Sequence, residues 1–301
     1  MEEFNFEQVK VLLGEVDRNA RDGLKSALFH RGFRSIAVAD KVSTIHETTS
    51  NDEADLLICS SEYDDGDVHD LIHKIRHHEV GSNPFVLVIT LIGEPSKELI
   101  RKVIDSGSDD ILVKPISSSM LYDRIVKLTC ERKRFVVTSD YIGPNRRKKH
   151  RPGTKKIPEI DVPNSLQVLA LGDVDTDYLQ RDIERCSKIV SELKLERNAV
   201  QIDYLVKQIL SSDTGETAEA RVGSHFDRLV SVSEDIRSRL ERFSHAERDE
   251  KAEKDALCQK MVDVAGRLRA DLSSRDPQDI DLLTQTAEDI KRAFHDDKIA
   301  A

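Results

Sequence analysis

Between residues 9 and 130 the chain alternates five short apolar runs with five amphipathic stretches, and this alternation constrains the fold more than any other feature. The runs are Val9–Leu13, Ser35–Ala39, Leu56–Cys59, Phe85–Ile89 and Ile111–Val113. The intervening segments, near 18–31, 41–50, 67–78, 96–106 and 117–133, carry apolar residues at helical spacing. Strand and helix in strict alternation predict an α/β fold with a parallel sheet. Val11-Leu12-Leu13 and Phe85-Val86-Leu87-Val88-Ile89 are continuous rather than alternating, as expected of strands covered by helices on both faces. The predicted first domain, 8–133, is a five-stranded doubly wound, flavodoxin-like sheet.

Composition changes after this domain. Four prolines, Pro144, Pro152, Pro158 and Pro163, recur over 134–165, with Arg146-Arg147-Lys148-Lys149 among them. This stretch reads as a linker, with Phe135–Thr138 as an incidental edge strand. Charge follows the same division: −8 over 1–130, +6 over 131–161 and −8 over 162–301. From 166 to 301 helix formers dominate. Apolar series such as Leu179-Ile183-Cys186-Ile189-Val190-Leu193, Val222-Phe226-Leu229-Val232-Ile236-Leu240 and Leu257-Met261-Val264-Leu268 keep the three-and-four step of an amphipathic face. Breaks near Arg197-Asn198, Thr214-Gly215, Ser244-His245 and Ser273–Pro277 divide the region into four or five helices. They predict an all-α bundle or coiled-coil hairpins, with Asp276 as an N-cap and Pro277 in the first turn.

No apolar run is long enough to span a bilayer, and Met1-Glu2-Glu3 lacks the character of a signal peptide. The scattered thiols Cys59, Cys130, Cys186 and Cys258 have no metal-site spacing and suit a reducing, cytoplasmic setting. No phosphate loop, nucleophile elbow, zinc motif or recognition helix is present, so the reading is of a protein without catalytic activity.

In a doubly wound sheet, ligands bind beyond the carboxyl ends of the strands. Those ends here are Gly14-Glu15-Val16-Asp17, Ser60-Ser61-Glu62, Thr90-Leu91 and Lys114-Pro115. On these residues, and on the run Ser108-Asp109-Asp110-Ile111-Leu112-Val113-Lys114-Pro115, the first domain resembles a CheY-like response regulator receiver. The resemblance implies an acidic pair after strand one that holds Mg²⁺, a phosphorylated Asp after strand three, a Thr or Ser after strand four and a Lys after strand five. It therefore implies a pocket of Glu15, Asp17, Glu62, Thr90 and Lys114, with Ser60 at the phosphoacceptor position.

The departures from the family pattern are specific. Glu15-Val16 stands where two carboxylates are usual, and Asp17 is better placed to cap the first helix. The loop Ser60–Gly66 is two residues short of the family pattern and lacks its proline, and Ile111 occupies the aromatic switch position. With Val16 and Ser60 in place of carboxylates, Mg²⁺ binding, for which Glu15 is a weak candidate ligand, is expected to be feeble or lost. A serine hydroxyl is a poor nucleophile without a base. The expectation is a pseudo-receiver in two-component signalling that acts through protein contacts, with Lys114 paired to Glu15 or Glu62. Asp64 and Asp65 are alternative acceptors, although Asp-Gly at 65–66 reads first as a turn. Signalling proteins are the implied partners. The helical region offers a homodimer interface. Arg146, Arg147, Lys148 and Lys149 offer an anion- or partner-binding strap, and the negative net charge argues against nucleic acid.

Overall fold

The computed structural model describes residues 4–147, 157–172, 176–211, 216–243, 248–271 and 276–295. Lys148 and Lys149 of the basic strap lie outside these residues, as do the expected breaks at Thr214-Gly215 and Ser244-His245. The chain divides into two compact units, Met1–Ser187 and Lys188–Ala301.

The first unit is built on a parallel five-stranded sheet of β1 (Lys10–Gly14), β2 (Ser35–Ala39), β3 (Leu56–Ser60), β4 (Leu87–Ile92) and β5 (Asp110–Val113), in the order β2-β1-β3-β4-β5. Helices α1 (Arg18–His30), α2 (Val42–Ser50), α3 (Val68–Arg76), α4 (Lys97–Asp105) and α5 (Ser118–Cys130) connect and follow the strands. This is the doubly wound, flavodoxin-like architecture expected from the alternation. Side chains alternate across each strand. Val11, Leu13, Leu56, Ile58, Leu87, Ile89, Leu91 and Leu112 enter one core with α5, while Leu12, Leu57, Cys59 and Val88 enter the other with α2 and α3. Both faces are dry, which explains the unbroken apolar runs. β4 differs from its expected span: Leu91 and Ile92 carry it past Thr90, and Gly93 follows its end.

The stretch read as a linker is structured where it is described. β6 (Phe135–Val137), β7 (Ile142–Pro144) and β8 (Glu159–Ile160) form an antiparallel sheet in the order β7-β6-β8. It seats tightly against the first sheet's amino end. A Cβ on Gly143 would stand 2.9 Å from the Gly107 Cα, and one on Gly107, whose φ is +92°, would meet the Ile142 carbonyl at 2.7 Å, so glycine is required on both sides. A buried ionic hub reinforces the seat. Arg76, with no exposed surface, donates to the carbonyls of Gly107 (2.9 Å), Pro84 (2.6 Å) and Val86 (2.7 Å) and to Asp109 (2.8 Å). Arg132 reaches Asp109 at 3.2 Å and the Pro163 carbonyl. Phe135 lies within cation–π range of both guanidiniums. The short helix α6 (Ser165–Leu171) also belongs to this unit. Asn164 ties its start to the Leu128 carbonyl (2.8 Å), and Leu166, Leu169 and Ala170 join the first-face core. The structural division at 187/188 therefore differs from the sequence division at 133 and 165.

The second unit is helical. It contains α8 (Glu216–Phe243), α9 (Arg248–Ala270), α10 (Pro277–Ala293) and the later part of α7 (Thr176–Leu210), within which the division falls. One core joins Ile202, Val206, Phe226, Leu229, Met261, Val264, Leu283 and Ile290. Asp227 pairs with Arg269 at 3.0 Å and Arg237 with Asp255 at 2.8 Å, so α8 and α9 run antiparallel. The expected break at Arg197-Asn198 does not occur. Asn198 is buried and donates to Asp235 of α8 at 2.6 Å, so a residue that reads as a terminator serves a tertiary contact inside a continuous helix. Asp276 caps α10 by accepting from Gln278 N, with Pro277 at its start, as the sequence predicts. No described helix is long and apolar enough to cross a membrane.

Candidate functional site

Strand parity builds the site. Glu15 lies two residues beyond Leu13, Ser60 two beyond Ile58 and Lys114 two beyond Leu112, so all three continue the α5-side face, Ser60 as the last residue of β3 and Glu15 and Lys114 just past β1 and β5. They meet there. The Lys114 Nζ donates to the Ser60 Oγ at 2.7 Å and lies 2.6 Å from the Glu15 Oε2, and the Ser60 Oγ donates to that same oxygen at 2.8 Å. Glu15 is 2% exposed and Ser60 4%, while the Lys114 side chain is 34% exposed. Of Glu62 and Glu15, the two partners foreseen for Lys114, the structure selects Glu15.

The other oxygen of Glu15, Oε1, accepts from the Asp17 N at 3.2 Å, and Arg21 donates to the Glu15 carbonyl at 2.8 Å. Asp17 itself caps α1 by accepting from the Ala20 N at 2.7 Å. The three bonded side chains form the floor of an open cleft of about 580 Å³, rimmed by Val16, Asp17, Arg18, Glu62, Asp64 and Gly93.

Thr90 is not brought to this cleft. With β4 extended to Ile92, Thr90 sits opposite Cys59 and Leu91 opposite Ser60. Parity then turns Thr90 to the other face, where it is fully buried and bonded to Ser108 at 2.7 Å. At the cleft this strand is represented by Gly93, just past the end of β4, which the sequence marks only as a glycine after an apolar run. The two alternative acceptors also part company. Asp65 is committed to α2, whose own N-cap Lys41 makes no side-chain cap bond. Its carboxylate accepts from the Val42 N (2.9 Å), the Ser43 N (3.1 Å) and the Ser43 Oγ (3.0 Å). Those bonds, led by Val42 and then Ser43, hold its carboxyl below the usual range. Asp64 remains exposed at the rim.

Two neighbours were not legible as site residues. Tyr63 packs so close to Gly14 that a Cβ there would collide with its hydroxyl. Burial, and then the adjacent Cys59 and Glu15, push that phenol upward, so it stays neutral. Cys59 beneath is pushed up to about 12 by burial, which leaves it an inert thiol. Of the basic strap, Arg146 donates to the Ser108 carbonyl and Arg147 is exposed, both at the amino end of the sheet and away from Ser60.

Residues 11–126 match the family model of the response regulator receiver domain. Similar solved structures include a two-component response regulator from Clostridium difficile, 28% identical, with the match covering 40% of this chain and 93% of that one at a TM-score of 0.36. A CheY-like receiver domain protein from Methanospirillum hungatei JF-1 is 19% identical over 40% of this chain and 91% of that one, at 0.36. An orphan response regulator of H. pylori is 21% identical over 40% and 95%, at 0.34. Comparison with curated proteins gives no match. Residues 11–126 are thus a receiver domain of two-component signalling, a module that is in general non-enzymatic and works with signalling partners such as kinases.

Proposed function

We propose that this receiver is a pseudo-receiver, one that keeps the scaffold of the family and operates without an acyl phosphate. The observation that carries the reading is the closed set of bonds among Glu15, Ser60 and Lys114. In a phosphorylatable receiver the strand-three position supplies a carboxylate nucleophile, and a hydroxyl there is far weaker without a strong base. The donor set also does not fit Mg²⁺, which needs several hard oxygen ligands in a near-octahedral shell. One Glu15 oxygen is taken by Lys114 and Ser60 and the other by the Asp17 N–H, Asp17 is spent as a cap, and Val16 offers nothing. No phosphoryl step is therefore assigned to the cleft.

On this reading the protein is a cytoplasmic regulator without catalytic activity of its own. It signals by contact through the receiver surface and through a helical unit that binds a partner or a second copy of the chain. Its state follows partner binding or abundance rather than a kinase-driven modification at Ser60. The test is incubation of the full chain with acetyl phosphate and Mg²⁺, followed by intact-mass measurement. An unchanged mass is expected. A hydroxylamine-labile phosphoryl adduct, whether on Asp64 or elsewhere in the cleft, contradicts the reading. Light scattering on the full chain tests self-association, and a monomer across the accessible concentration range removes the homodimer.

A further inference from the structure

At the amino end of the first sheet, remote from Ser60, cationic side chains from separate pieces of chain are gathered on a rigid frame. The antiparallel register of β6 and β7 pairs Phe135 with Pro144, and the Asn145 N donates to the Arg134 carbonyl at 2.7 Å, so Lys133 and Arg146 are the next opposed positions; Lys127, in the last turn of α5, is near enough for its charge to act on Lys133. The frame is fixed by the Gly107–Gly143 approach and by the bond from Arg146 to the Ser108 carbonyl. The two carboxylates whose charge acts on Lys133 are already taken. Asp109 is held by Arg76 and Arg132, and Asp110 pairs with Arg124 at 3.1 Å. Among the described residues, Lys127, Lys133 and Arg146 make no ion pair of their own.

We propose that Lys127, Lys133 and Arg146 form a binding site for a compact, doubly charged oxyanion of the phosphate-monoester class. Like charges held together on a stiff scaffold cost free energy that a counter-anion recovers. The ammonium of Lys133 shows that cost: burial first, then the charges of Arg146 and Lys127, depress it against the pull of Asp110 and Asp109. An arginine fork beside ammonium groups is suited to a phosphate oxygen set. An extended polyanion fits less well. Residues 131–161 carry +6, but they are flanked by −8 on either side, so a polyanion long enough to leave the patch meets repulsion that a small ion evades at contact. The nearest aromatic ring, Phe135, is fully buried beside Arg76 and Arg132 and offers no stacking platform for bases.

The site is independent of the cleft and stands whether or not the pseudo-receiver reading does. The test is a side-chain and amide NMR titration of the full chain, at constant ionic strength, with three probes: inorganic phosphate, a phosphoserine peptide and a single-stranded oligonucleotide. Saturable shifts at Lys133, Arg146 and Lys127 with phosphate or the phosphopeptide are expected, and the tighter of the two identifies the source as a free phosphate or a phosphorylated side chain. The surface variants Lys133→Ala and Lys127→Ala should each weaken binding about tenfold, the scale of one lost charge-assisted hydrogen bond. Shifts no different from those in matched chloride, binding by both variants as tight as by the unaltered chain, or binding of the oligonucleotide alone, with a steep salt dependence when ionic strength is then varied, would each overturn the proposal.

Discussion

The two ends of the first sheet carry similar chemistry in different surroundings. At the carboxyl end, Lys114, Glu15 and Ser60 form a bonded triad whose cation reaches solvent. At the amino end, Arg76, Asp109 and Arg132 form an ionic hub with no opening to water, and three backbone carbonyls complete the Arg76 fork. Removing one partner of a buried pair strands an uncompensated charge, whereas water relaxes the loss at a cleft. The hub therefore holds the small sheet in place, and the triad governs what the cleft can accept. A cation–carboxylate pair is closed in on every side at one end, while at the other its cation opens to a cleft.

The largest effect should come from breaking the hub. Asp109→Ala leaves Arg76 buried without its carboxylate and should cost about 3–5 kcal/mol of unfolding free energy, measured by urea denaturation. The cleft should respond less. Lys114→Met, which strands the Glu15 carboxylate beside water, should cost about 1–3 kcal/mol, and Ser60→Ala about 1 kcal/mol. A Ser60→Ala penalty as large as that of Asp109→Ala would erase the distinction between the two ends.

The smallest effect concerns pH. His69, 4% exposed at the start of α3, is held below the usual imidazole range by burial, and then by Lys102 against Asp67. The unfolded chain takes up this proton first. Stability should therefore decline as pH falls below about 6.5 and level off only below the depressed folded value, with a slope no steeper than about 1.4 kcal/mol per pH unit. His69→Gln should flatten that part of the profile in urea unfolding measured from pH 7 to pH 5.

The difference between the two ends also marks what a sequence can disclose. The strands, their order class and the meeting of Glu15, Ser60 and Lys114 were legible, because period-two and helical patterns are local and strand ends converge in this fold. Thr90 was misplaced because a strand's end depends on pairing: Leu91 and Ile92 continue the ladder against Ser60 and β5, and the extension turns Thr90 away from the cleft. The hub was illegible because Arg76, in a stretch reading His73-Lys74-Ile75-Arg76, looks like a surface residue until Pro84, Val86 and Gly107 bring their carbonyls to it. The strands β6, β7 and β8 are two or three residues each, too short for a periodicity, and β8 joins β6 from the far side of residues 145–158.

The account turns on the cleft lacking both a metal and an acceptor. Its most direct test is to add Mn²⁺, as a paramagnetic stand-in for Mg²⁺, to the isotope-labelled full chain and follow amide line widths. No selective broadening at Glu15, Ser60 and Lys114 is predicted when ion and protein are present in similar amounts. Sharp, saturable broadening confined to those residues would show a working metal site and contradict the pseudo-receiver.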